Sequence, residues 1–252
     1  MPASPPARNS LIKLTGKIGN YKRTRGESNF MLTEADRAGM GVVAIAAGLA
    51  GLSGQAISTA SNAADTSESA HFIECTIDGT PVAGWVWRSP FKEGDEVEAA
   101  AYWDGKDFLL QGVRRLSDGM TALYPHCSRG RKAHNKNALK WWAMVSVVLF
   151  GFYCLIPGSV YIEKPPNAEE FVNTMLKVFG GGALFFTGFF GLMIYSMSRK
   201  WLPMVYAAES VFRTLGWTNP EDIDLVKLSK QFKRGGEGVE YGIMYFRYLP
   251  KV

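Results

Sequence analysis

The sequence predicts an α+β membrane protein: a small β-rich, barrel-like cytoplasmic domain, a two-helix transmembrane hairpin and an α/β cytoplasmic tail. Three observations predict it. Two runs, 141–162 and 178–197, carry no formal charge, and each has the length of about 20 residues that a helix needs to cross a hydrocarbon core. Before them, short stretches alternate polar and apolar residues around Asp-Gly pairs, as half-buried strands joined by tight turns do. After them, a helical pattern gives way to a segment rich in β formers. The expected organisation is a first domain over 1–138, a hairpin over 139–200 and a tail over 201–252 that packs on the first domain.

The strands come first in the chain. "LIKLTGKIGNYK" opens with alternation. In "HFIECTIDGTPVAGWVWRS", Phe72, Glu74 and Thr76 alternate with Ile73, Cys75 and Ile77, and Asp78-Gly79 falls where a hairpin turn belongs. "FKEGDEVEAAAYWDGKDFLLQGVRRL" holds two more strands around Asp104-Gly105, and "GMTALYPH" a further one. Closely spaced short strands build a small barrel or a sandwich, an oligonucleotide-binding-like barrel being one option. Trp85 and Trp87 share one face of a strand, and core packing is the reading adopted for them. Between the strands, residues 38–52 are apolar and small, too short for a full span, and read as a helix inserted beside the membrane.

The basic residues orient the hairpin. Arg129, Arg131, Lys132, Lys136 and Lys140 precede the first run and Arg199 and Lys200 follow the second, whereas the connection carries Glu163, Glu169 and Glu170. Lys and Arg favour the cytoplasmic side, so both termini are expected in the cytoplasm of a bacterial inner membrane. With Trp141 and Trp142, the five cations form an expected membrane-surface anchor on anionic lipid. A row of small residues, Ala183, Thr187 and Gly191, lets helices approach closely. It packs against the first span or, in the sharper reading, makes a homodimer. In the tail, "LPMVYAAESVFRTLGW" reads as a helix ending at Gly216, and Asn219 with Pro220 as the start of another.

Composition bounds the chemistry. The 252 residues carry a formal charge of +5, which permits an anionic partner. Cys75, Cys127 and Cys154 are too scattered for a disulfide framework and fit a reducing compartment. The start, MPASPPARNS, has no signal-peptide pattern. His126, Cys127 and His134 lack zinc spacing and a fourth ligand. No phosphate-binding loop, nucleophile elbow, zinc helix or dinucleotide fingerprint occurs. Asp78, Asp95, Asp104 and Asp107 sit at turns, the usual place of such acids. The expectation is a membrane-anchored binding protein without cofactor, metal or catalytic site, and without direct nucleic-acid contact.

"GWVWRSPFKEGDEVEA", then "ALYPHCSRGRKAH", then two spans and a tail resemble the two-span immunity proteins associated with type VI secretion, over residues 11–201. The resemblance implies neutralisation of a cognate secreted toxin, a nuclease, by binding. An acidic surface suits that task as a phosphate mimic, and Glu93, Asp95, Glu96 and Glu98 form the densest acidic run. Two other classes stay open: a membrane-active effector of the same secretion system, and a membrane-anchored module that binds lipid or nucleic acid.

Overall fold

A computed structural model describes residues 11–28, 30, 68–103, 107–162 and 167–249. The expected helix at 38–52 and the Asp104-Gly105 turn lie outside the described residues. The chain forms two compact units. The first holds the residues up to 128 together with 210–220 and 225–252; the second holds 129–209 and 221–224.

The first unit is built on β1 (Leu11–Ser28), β2 (Glu68–Ile77), β3 (Thr80–Val86), β4 (Glu96–Trp103) and β5 (Phe108–Arg115). One strand, β1, serves two neighbours: Leu11–Lys17 pair with β4, and Ile18–Ser28 pair with β2. The hairpin β2–β3 turns at Asp78 and Gly79, both at positive φ, which is the geometry that favours an Asp-Gly pair. A parallel contact of Val82 and Ala83 with Phe108 and Leu109 joins β3 to β5 and closes a five-stranded barrel. The sheet continues past β5 into β6 (Met120–Leu123) and β7 (Phe246–Arg247).

The interior is narrow. Ile18, Ile73, Cys75, Ile77, Val82, Val86, Val97, Ala99, Leu110, Val113 and Ala122 fill it. Small and β-branched residues dominate because five strands enclose little space. Trp85 therefore falls on the opposite, outer phase of β3, and Trp87 just past its end, both outside this interior cluster, against the core reading. There Trp85 meets Phe30 and Phe72 edge-on, and Trp87 tilts over His126. Gly84 marks the closure: a β-carbon on it would strike the backbone and Cβ of Leu110. Gly84→Ala is expected to push β3 off β5 and destabilise the unit by about 1–3 kcal/mol, read as a lower denaturation midpoint at unchanged m-value.

The second unit contains α1 (Arg131–Ile162) and α2 (Ala168–Lys200). They run antiparallel. The Trp142 indole N–H donates to the Thr187 carbonyl at 3.2 Å, and the His134 Nε2 lies 2.9 Å from Ser198 Oγ. The small row is used here, since Gly191 lies against the Trp142 ring. A third helix, α3 (Leu202–Thr214), leads from this unit back to the first.

The expected two-helix transmembrane hairpin is corrected by this structure. Among the described residues one stretch, Gly180–Lys200 of α2, is long and apolar enough to cross a membrane, at a mean hydropathy of 1.3. A two-span hairpin is not supported. The run 141–162 is bounded by absence of charge alone; its helix starts ten residues earlier, in the polar segment at Arg131, with Lys132, Lys136 and Lys140 in its first turns.

The tail differs from the expected α/β unit in two ways. The helix α3 ends before Gly216, which sits at positive φ, as the sequence indicates. The segment after Asn219 is not one helix: a 3-10 turn, Pro220–Asp222, precedes α4 (Leu225–Gln231). Asn219 is at positive φ, outside the extended conformation of a helix cap. Of the β-forming end, Phe246–Arg247 pair with β6, and Tyr241 forms an isolated bridge to Tyr245.

Candidate functional site

A concave feature of the first unit lies at the barrel mouth. A bulge in β1 creates it. Between Gly19 and Lys22 the register with β2 slips by one residue, and Asn20 takes positive φ there. Before the bulge the inward residues of β1 are even-numbered, Leu14 and Ile18. After it the phase inverts, so that Arg23 lies opposite core residue Ile73 and Arg25 opposite His71. The bulge thus aims Tyr21, Arg23 and Arg25 along the barrel's inner side as the strand leaves the core. Re-aiming side chains is a recurrent use of bulges.

A pocket of about 480 Å³ opens at this mouth, lined by Tyr21, Arg23, Ser89, Pro90, Phe91, Lys92 and Glu93. Its floor is hydrogen-bonded. The Tyr21 hydroxyl lies 2.6 Å from Ser89 Oγ, and one Arg23 N–H donates to the Ser89 carbonyl at 3.1 Å. The Ser89 backbone N–H donates to His71 Nδ1 at 3.0 Å, which leaves the neutral imidazole's proton on Nε2. Buried Arg88 braces the rim: it donates to Glu240, to the Ser69 carbonyl and to Ser69 Oγ, and Arg25 reaches the same Ser69 hydroxyl.

The mouth is electropositive. Burial, with Arg23 and Arg88 nearby, pulls the His71 pKa down to about 4. Burial raises Tyr21 above its usual value, so its phenol stays neutral. The pH consequence follows. The unfolded chain protonates His71 near 6.5, and the folded chain only near 4. Its neutral form thus supports the fold at neutral pH, and stability falls as pH drops from about 6.5 toward 4. The loss is on the order of 2–3 kcal/mol, since the ring is only partly buried. Denaturation of the chain at stepped pH checks this: His71→Asn is expected to flatten that part of the profile.

Ser89 beside His71 suggests a nucleophile and base, but the geometry is different. The imidazole takes the backbone N–H, not the hydroxyl, and a pKa near 4 makes it a poor base at neutral pH. The buried thiols are no better placed: burial pushes Cys75 up to about 11 and Cys127 up to about 12. Among the described residues no three His, Cys, Asp or Glu side chains converge as a metal site.

The acidic run is not a free surface. Asp95 accepts from the Lys92 backbone N–H and pairs with Arg115, each at 2.8 Å, so it holds the turn. Glu96 pairs with Lys17 at 3.7 Å, both exposed. Glu98 is buried, with Lys13 at 2.6 Å and Arg114 at 2.7 Å. Glu93 alone of the four reaches the pocket. The basic stretch is engaged likewise. Arg129 meets Asp224 at 3.2 Å; Lys132 meets Glu221 and Asp222, and Lys136 meets Asp222. Arg131 and Lys140 are exposed, Trp141 is half exposed, and Trp142 packs between the helices. Sequence reading missed Arg23 and Arg25. The legible signal was "NYKRTR", an Asn-containing break in alternation followed by cations at alternate positions.

Comparison with known proteins finds no matching family model, no similar curated protein and no similar solved structure.

Proposed function

We propose that this chain is a membrane-anchored binding protein, without chemistry of its own, that holds an anionic partner at its barrel mouth. One observation carries the reading. Of the acidic run, Asp95, Glu96 and Glu98 are paired within the fold, while Arg23 and Arg25 keep guanidinium donors beyond their bonds to Ser89 and Ser69. The exposed Lys92 stands with Arg23 at the pocket. Charge-assisted bonds from such a cluster are strong and steer association. The apolar stretch Gly180–Lys200 supplies the anchor; the inner membrane is its proposed location, with the barrel in the cytoplasm.

The partner we propose is a cognate secreted toxin, which makes the chain an immunity protein. The resemblance to type VI immunity proteins supports that, as does a mouth arranged for contact more than for bond-making. The toxin surface that fits is acidic, not phosphate-seeking. The test is competition between kin. Prey lacking this gene should be killed by the parent strain only when the attacker's secretion apparatus works, and a plasmid copy should restore survival. Equal survival of the deletion prey would sink the immunity reading.

A further inference from the structure

The mouth also has the makings of a small-molecule site. Three features coincide in one pocket. Two cationic residues, Arg23 and Lys92, line it. Two hydroxyls, Tyr21 and Ser89, line it as well, and the Tyr21 ring and Pro90 add apolar surface. A carboxylate, Glu93, completes the lining. The volume of about 480 Å³ suits a small ligand.

We infer that the barrel mouth binds a sugar phosphate, free or as part of a nucleotide. The cations match a tetrahedral oxyanion, which accepts several charge-assisted bonds at once. The hydroxyls and Glu93 match the sugar: a carboxylate accepts from sugar hydroxyls, and it repels a second phosphate. A bare anion leaves Glu93 and the apolar wall unused. A carboxylate ligand offers fewer acceptor atoms to Arg23 and Lys92 than a phosphate does.

The inference rests on reading the mouth as a binding surface. It is tested on the full chain in detergent micelles by titration calorimetry with ribose 5-phosphate, adenosine 5′-monophosphate, inorganic phosphate and ribose. The two phosphate esters are expected to bind, inorganic phosphate more weakly, and ribose not at all. Comparable binding of both esters means the sugar phosphate suffices; tighter binding of the nucleotide means the base adds contacts. Arg23→Gln and Lys92→Gln should each weaken binding about ten- to hundredfold, with unchanged melting curves. Tyr21→Phe, a milder change, should weaken it less. Absence of heat with every phosphate, inorganic phosphate binding as tightly as the esters, or binding indifferent to both charge variants would each overturn the inference. A protein partner captured at the mouth despite such a result would leave the binding reading standing and remove only the sugar phosphate.

Discussion

Glu98→Ala is expected to destabilise the barrel by about 3–5 kcal/mol, the cost of stripping one partner from a buried ion pair. Glu98 is 5% exposed and holds together elements far apart in sequence. Lys13 comes from β1 and Arg114 from β5. Trp217, whose indole N–H points at Glu98 from 3.5 Å, stacks on Tyr248. Without the carboxylate, Arg114 stays enclosed with no counter-charge. Burial alone would raise the Glu98 pKa, but hydrogen bonds from Lys13 and Arg114 outweigh it and hold it below the usual carboxylate value. A depressed pKa stabilises the fold above the unfolded-chain value, and this support fades as pH falls through the folded value. Urea denaturation at neutral pH measures the loss. Glu98→Gln, which keeps the shape and some hydrogen bonds, should lose less.

Arg247→Ala should cost a similar amount, about 3–5 kcal/mol, and should act on the C-terminal segment. The side chain is 3% exposed. One terminal nitrogen donates to the Phe232 carbonyl at 2.6 Å. The other lies 2.6 Å from Glu237, a charge contact without hydrogen-bond alignment. The guanidinium also covers the Tyr241 ring at 5.4 Å. Truncation leaves Glu237 enclosed and unpaired and opens the link from α4 to β7. Limited proteolysis should then cut near Lys230 and Lys233 in the variant and not in the parent. Replacing both charges, as Arg247→Met with Glu237→Gln, should recover much of the loss, because the stranded charge is gone.

The Glu98 result bears on how much of the molecule can be read from its residues. Local features were legible. The Asp78-Gly79 turn, the strands on either side of it and the stop at Gly216 all follow from short-range patterns. Three things were not. The parallel contact of β3 with β5 joins residues 82–83 to 108–109, and no local pattern announces it. The width of the interior decided the phase of β3: alternation offers two faces, and a lumen lined by Ala99, Val97 and Val113 excludes Trp85. The role of each acid depended on cations elsewhere in the chain. Glu98 looks like its neighbours in "GDEVEA" until Lys13 and Arg114 are brought to it. The mouth was hidden for the same kind of reason, since one extra residue in β1 turns Arg23 and Arg25 inward. In the second unit, counting charges was not enough: the charge-free run 141–162 belongs to a longer helix that begins in the polar segment at Arg131.

The central claim is that partners are held at the barrel mouth. Site-specific photo-crosslinking in the source organism, with a benzoylphenylalanine at Lys92, Asp78 or Val147, tests it most directly. The account predicts an adduct from position 92 that is lost when Arg23 is also changed to Glu, and none from position 78 on the β2–β3 turn. Adducts that form only from position 147 on α1, or from position 92 regardless of the charge at Arg23, would contradict it.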